Sequence, residues 1–178
     1  NETNSVSGIY YINSVTTANM PLNEAAFLNK ADFAKLNVSR TSLDLEDLDY
    51  AIDTDSDVYY IGGGGWFYND LLYAEIGYQR LETTVKLNLK DYYDDSSYRS
   101  TTTDSVTSYK FGIAPIKGLL VYLAGDNEQS LSESIGLGAK YVHQFDARAI
   151  NAEVLVRQYE EDGRDEYVTT LAGDFYFT

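Results

Sequence analysis

Hydrophobic and polar residues alternate along most of this chain, with the two-residue period of a β-strand rather than the 3.6-residue period of a helix. Between residues 150 and 159, apolar side chains recur at every second position from Ile150 to Val156. The opposite face of this segment carries Glu153 and Arg157. The same pattern returns in segments that begin near residues 34, 72, 108, 134 and 167. The chain is therefore predicted to consist mainly of strands with one apolar and one polar face.

The alternating segments predict about nine strands, several of them near ten residues long. In chain order, they span residues 5–14, 33–43, 57–68, 71–90, 103–115, 118–125, 132–145, 148–160 and 166–178. The only helix is predicted at residues 23–30, where Asn23 is placed to cap the first turn. No linker or second domain is visible, so residues 1–178 are interpreted as a single domain.

Short and long connections alternate between the predicted strands. The tight turns are at residues 68–70, 115–117 and 145–148, and the longer polar loops are at residues 44–57, 91–104, 126–133 and 160–166. The longer loops hold most of the acidic residues of the chain. Short turns at one end and long loops at the other are typical of an all-β fold, the antiparallel up-and-down transmembrane β-barrel. The long loops are then expected on the outer side of the membrane.

Aromatic residues cluster near the level of the tight turns. The candidates for an aromatic girdle are Trp66, Phe67, Tyr68, Phe145, Phe175 and Phe177. In transmembrane barrels such rings lie at the boundary between lipid and water. A soluble β-sandwich with an aromatic core is the alternative, because both folds bury one face of every strand.

The composition excludes several function classes. The chain has 178 residues, no cysteine, one histidine and a net charge of −15. Disulfide scaffolds and cysteine-based zinc sites are therefore excluded, and nucleic acid is a poor partner because phosphate binding needs Lys/Arg patches. The longest strictly apolar run, at residues 119–124, is too short for a transmembrane helix. We expect no cofactor and no enzymatic activity, since His143 has no serine–acid constellation around it.

Two segments resemble a family of small porins of Gram-negative outer membranes. Residues 21–31 read PLNEAAFLNKA after a tyrosine-rich segment, and residues 67–74 read FYNDLLYA. Both are similar to segments of that family, which implies an outer-membrane β-barrel and supplies no catalytic residue. Family members carry further strands before and after the matching region. Bacterial barrels normally have an even number of strands, and about nine are predicted here. Residues 1–178 are therefore expected to be a fragment lacking at least one strand of an intact barrel of roughly ten to twelve.

Charged residues on the polar faces of the predicted strands are candidates to line a pore. They are Lys35, Glu75, Lys110, Lys140, Glu153, Arg157 and Asp174. In a barrel these side chains face the interior, where they pair across it or shape a water path. In a soluble sandwich they simply face solvent. A barrel of ten to twelve strands lies between small barrels filled by side chains and wide channels.

Two further motifs have weaker chemical implications. Asp53, Asp55 and Asp57 begin like a calcium-binding loop, but Val58 stands where that loop needs glycine. We predict a solvated acidic loop here, with a weak calcium site as the alternative. The glycine run at residues 62–65 lacks the Lys-Ser/Thr of a phosphate loop. It is expected to relieve curvature or to make room inside the barrel.

These observations predict an outer-membrane porin, surrounded by lipid, through which small hydrophilic solutes or ions diffuse passively. The acidic loops favour cations as permeating ions at low salt. One alternative is a non-conducting outer-membrane barrel whose acidic loops bind ions or mediate surface contacts. The other is a secreted soluble β-sandwich that binds carbohydrate.

Overall fold

The described residues form a single antiparallel sheet with one short helix. The computed structural model describes residues 2–17, 21–46, 50–90, 95–128, 134–145, 148–161 and 164–177. The helix, α1 (Leu22–Leu28), follows the first strand. The nine strands are β1 (Glu2–Tyr11), β2 (Phe33–Glu46), β3 (Tyr50–Phe67), β4 (Leu72–Lys90), β5 (Asp95–Ile116), β6 (Leu119–Glu128), β7 (Ser134–Phe145), β8 (Arg148–Glu161) and β9 (Arg164–Phe177). They lie in the sheet in chain order, so the all-β prediction is confirmed.

Several strands are longer than the sequence predicts. β2, β3 and β5 have 14, 18 and 22 residues, and they occupy most of the predicted loops 44–57 and 91–104. The loop predictions are wrong there because hairpin pairing continues through polar sequence, up to Glu46 opposite Ala51 and Lys90 opposite Asp95. Backbone pairing of neighbouring strands does not require apolar side chains.

The other connections are also shorter than expected. The predicted loops 126–133 and 160–166 are partly strand, because β6 ends at Glu128 and β8 and β9 reach Glu161 and Arg164. Residues 47–49, 91–94, 129–133, 146–147 and 162–163 lie outside the described part of the chain. The tight turn 68–70 is confirmed, and its three residues all have left-handed backbone conformations.

The two faces of the sheet differ in chemistry. On β4, Ile76 is 62% exposed and Tyr78 is exposed, whereas Tyr73 and Gly77 are buried on the opposite face. Every strand contributes large exposed apolar side chains to one face, which we call the apolar belt. Representative members from β1 to β9 are Val6, Leu36, Ile61, Ile76, Phe111, Leu123, Leu137, Val154 and Leu171.

The sheet is rolled around α1. Tyr11 on β1 donates a hydrogen bond to Asn23 Oδ1 (2.8 Å), and Tyr176 on β9 donates one to Glu24 Oε1 (3.1 Å). In a flat sheet, eight strand spacings would separate β1 from β9 by roughly 38 Å. Since adjacent helix residues bind both edge strands, the sheet must curve. Among the described residues β1 and β9 do not pair, so the sheet is not closed.

Helix α1 lies on the concave side of this roll, and the apolar belt lies on the convex side. Ala25 is completely buried and packs with Ala149 and Tyr176. The expected cap at Asn23 is wrong, because Pro21 occupies the N-cap position and no side chain caps the helix. Asn23 lies within the first turn, where its side chain holds β1 instead.

The β5–β6 turn depends on a glycine with a left-handed backbone conformation. The predicted turn 115–117 is shifted, because β5 continues to Ile116 and the connection is formed by residues 117–118. Gly118 has a φ of 83°, and a Cβ atom there would collide with the carbonyl oxygen of Val142. Only glycine adopts this conformation without strain.

We expect Gly118→Ala to lower the free energy of unfolding by about 1–3 kcal/mol, because the new methyl group adds both strain and a backbone clash. Chemical denaturation followed by tryptophan fluorescence measures the loss. Gly8→Ala is the matched control, since no atom lies within 4 Å of its added Cβ. Its effect should stay within about 0.5 kcal/mol. Equal stabilities of the two variants would contradict the described turn.

Candidate functional site

The concave face gathers the charged residues that the sequence places on polar strand faces. The side chains of Lys35, Glu75, Lys110, Lys140, Glu153 and Arg157 are half-buried on it. Asp174 is more exposed and accepts a hydrogen bond from Asn151, its register partner on β8 (3.2 Å). Their common face follows from the alternation, but their role as pore-lining residues stays a prediction.

One cluster on this face links three strands across the interior. Lys110 Nζ on β5 lies 3.7 Å from Glu153 Oε1 on β8. Tyr122 on β6 donates a short hydrogen bond to the same carboxylate. The Lys110 ammonium also lies 4.3 Å from the centre of the Tyr122 ring. β5 and β8 would be roughly 14 Å apart in a flat sheet, so these contacts depend on its curvature.

A second interior cluster lies next to the first. Arg157 donates a hydrogen bond to Asp126 Oδ2 (2.8 Å), and Ser134 donates one to Asp126 Oδ1 (2.7 Å). The sequence predicts Asp126 in the long polar loop 126–133, but it lies near the end of β6. Neither Asp126 nor Tyr122 is identified from the sequence as an interior residue. Tyr122 is missed because it falls within an apolar run.

Glycines make room for tyrosines on the concave face. A Cβ atom at Gly62 or at Gly77 would lie 2.5 Å from the hydroxyl of Tyr60. Gly138 similarly accommodates the ring of Tyr122. The sequence predicts that the glycine run either relieves curvature or makes room on the inner side of the sheet. At Gly62 it makes room, and the side chain of Tyr60 fills part of that space.

Trp66 lies at the α1 end of the concave face rather than in an outer girdle. It is 9% exposed and packs against Phe27 and Tyr73, with ring centres 5.7 and 4.8 Å away. Lys30 Nζ lies 3.5 Å from the centre of its indole. The girdle prediction for Trp66 is wrong because strand alternation places it on the same side as Gly64. Burial lowers the pKa of Lys30, while Asp70 acts in the opposite direction.

The other girdle candidates are on or near the convex face. Phe67 and Tyr68 are exposed beside the β3–β4 turn. Phe145 contacts Phe175, with ring centres 6.2 Å apart. His143 stacks between Tyr141 and Phe145, at 6.0 and 5.9 Å. For Phe177, only the backbone belongs to the described part of the structure. An interfacial role for these rings remains a prediction.

The three aspartates of the calcium-like motif lie on a strand instead of in a solvated loop. They share the convex face of β3 with Tyr59, beyond the apolar belt. Asp55 accepts a hydrogen bond from Ser42 (2.7 Å) and lies 3.6 Å from Arg40 and 3.8 Å from Lys86. No group of three or more potential ligands is placed to hold a metal among the residues described. Asp53, Asp55 and Asp57 therefore line up beside cations of neighbouring strands.

Comparisons with known proteins identify no relative. No protein-family model matches the chain, and no curated protein or solved structure is found to be similar to it. Within the described segments, no helix has the length and apolarity needed to cross a membrane. The functional interpretation therefore rests on the rolled sheet and on the chemistry of its two faces.

A double-mutant cycle tests the interior cluster. We expect Lys110→Met and Glu153→Gln to be coupled by about 0.5–1 kcal/mol in the free energy of unfolding, since each removes one side of a partly buried pair. The matched control is Arg80→Met with Glu82→Gln, an exposed pair on one strand at 3.2 Å. Its coupling should be close to zero. Equal couplings in the two cycles would show that the interior pair is hydrated like a surface pair.

Proposed function

We propose that this chain forms most of a β-barrel of ten to twelve strands in a Gram-negative outer membrane, through which small hydrophilic solutes or ions diffuse passively. The observation that carries the proposal is the apolar belt, which spans all nine strands of a single-layered sheet. An exposed apolar surface of this extent is unfavourable in water and indicates contact with a membrane or another apolar surface. The polar concave face is suited to water and solutes.

The height of the belt supports a membrane setting. On β3, outward apolar residues extend from Phe67 to Tyr59, and Asp57 follows at the next outward position. On β4 they extend from Leu72 to Tyr78, and Arg80 follows. The nine residues of β3 span roughly 25–30 Å and the seven of β4 roughly 20–23 Å, close to the apolar band of about 25 Å in outer-membrane barrels.

Strand direction limits how such a barrel closes. β1 and β9 run in the same direction, because seven alternating strands lie between them. An entirely antiparallel barrel therefore needs an odd number of further strands between these two edges. Within the proposed size of ten to twelve strands, this gives ten or twelve, in agreement with the even numbers of bacterial barrels.

The two segments that resemble the small-porin family meet in the structure. Residues 21–31 contain α1, and residues 67–74 contain the β3–β4 turn. Phe27 of the first segment packs on Trp66, which directly precedes the second. We propose from the resemblance of the two segments that the chain belongs to that family, and the contact shows that α1 packs beside the β3–β4 turn.

A non-conducting barrel is the second candidate. The interior clusters around Glu153 and Asp126 connect β5, β6, β7 and β8, and α1 occupies part of the space in front of β1–β4. These contacts narrow the interior. The soluble sandwich is less well supported, because the described strands form one sheet and provide no second layer to cover the belt.

We expect Val154→Arg to destabilise the protein in lipid vesicles by about 2–4 kcal/mol, the cost of arginine on the lipid face of a barrel. Val154 lies in the belt, and its side chain is exposed on the convex face. Thr103→Arg is the matched control, because Thr103 lies on the same face beyond the belt, opposite Glu82. Denaturant titration of vesicle-bound protein measures both variants. Equal losses would contradict the membrane orientation.

Conductance in planar bilayers distinguishes the two candidates. We expect ion-conducting channels with weak cation preference at low salt. The chain has a net charge of −15, and many of its acidic residues belong to the strand ends and connections that are farthest from the β3–β4 turn. The preference should fade near 1 M salt, where the screening length falls to about 3 Å. Reversal potentials in a potassium chloride gradient measure it. Clear anion preference would show that interior lysines dominate, and absence of conductance would favour the closed barrel.

A further inference from the structure

A cavity of about 170 Å³ lies between α1 and the concave face of β1–β4. Its walls include the aromatic rings of Phe27, Phe33, Trp66 and Tyr73. Two charged side chains, Lys35 from β2 and Glu75 from β4, also line it. The cavity therefore combines apolar walls with one cationic and one anionic group.

The two charges are held apart. No carboxylate of the described residues lies within 4 Å of Lys35 Nζ, whose only close ring is Phe33 at 5.8 Å. Glu75 accepts a hydrogen bond from Tyr73 (2.7 Å) and forms no ion pair in the described part of the chain. Elsewhere on the same face, Lys110 and Arg157 each contact a carboxylate, whereas Lys140 Nζ lies 5.2 Å from the ring of Phe27. Lys35 and Glu75 are thus two charged groups at one cavity that form no ion pair with the described residues.

The separation is built into the register of three strands. Phe33 pairs with Gly64 and Gly64 with Glu75, while Lys35 pairs with Gly62. At these two positions β3 contributes no side chain of its own, and the Tyr60 hydroxyl of the same strand lies over Gly62. A Cβ atom at Gly64 would lie 3.0 Å from Phe33 and 3.1 Å from the Cβ of Glu75. The glycine keeps this part of the cavity floor clear.

We propose that this cavity binds a small zwitterion, with its carboxylate at Lys35 and its ammonium at Glu75. The proposal rests on the proposed function, for which it names a solute class. One molecule of this type satisfies both charges, whereas a neutral sugar satisfies neither and a simple ion only one. The aromatic walls accommodate an alkyl group and favour a nearby ammonium. The volume equals that of about five or six waters, which suits an amino acid with a small side chain.

The chain contains a built-in reporter for binding. Trp66 is its only tryptophan and lines the cavity. We expect L-alanine to change the tryptophan emission of the detergent-solubilised protein in a saturable manner. Propionate and ethylammonium, which each carry one of the two charges, should bind at least tenfold more weakly, and glucose should have no effect.

Variants test the two charges separately. Lys35→Met and Glu75→Gln should each weaken L-alanine binding at least tenfold, whereas Lys35→Arg should retain most of it. Lys117→Met and Asp165→Asn are controls, since these exposed residues lie outside the cavity. Circular dichroism and the unliganded emission spectrum establish that each variant is folded. If a charge-removing variant does not fold, the comparison of L-alanine with propionate and ethylammonium still decides the proposal.

Several results would overturn the proposal. A linear response to L-alanine, equal binding of propionate, or stronger binding of glucose would each exclude a zwitterion site. The titration needs no membrane, so it is independent of conductance. Conducting channels without alanine binding would remove only the cavity proposal. Alanine binding without conductance would leave the site in place and remove the diffusion function.

Discussion

One turn of α1 holds both edges of a nine-stranded sheet, and the remaining architecture follows from that constraint. Two tyrosine hydroxyls, from β1 and β9, bind adjacent helix residues, and the fully buried Ala25 lets the helix approach the sheet closely. The hydrogen bond to the neutral Asn23 contributes about 0.5–1.5 kcal/mol and the one to the charged Glu24 about 1.5–3 kcal/mol. Their effect is nevertheless large, because rolling the sheet brings side chains of distant strands into contact.

Strand alternation explains why the faces of the sheet are predictable from sequence. Val154 and Glu153 differ by one position, and the structure places them on opposite faces as the pattern requires. The ends of β3 and β5 are not predictable in this way. Their polar residues continue the pairing of the hairpins. That pairing is stabilised by backbone hydrogen bonds, which do not depend on the hydropathy of the side chains.

The candidate site is predictable only in part, for a similar reason. Alternation places Lys35 and Glu75 on a polar face, but only the register across Gly62 and Gly64 shows that they border one cavity. The inward position of Trp66 follows from the same alternation, since adjacent residues of a strand face opposite sides and Phe67 faces outward. The contacts of α1 with the edge strands cannot be predicted from the hydropathy pattern, because they join residues far apart in the chain.

The polarity of the convex face also gives the protein a direction. Beyond the belt, Arg40, Asp57 and Glu82 lie side by side at one register level of β2, β3 and β4. Moving this charged row through hydrocarbon would be very costly. In the proposed barrel, the β3–β4 turn would then lead during insertion, and the charged row would mark the depth at which the movement stops. A single band of side chains would thus set both the final position of the barrel and the side from which it enters.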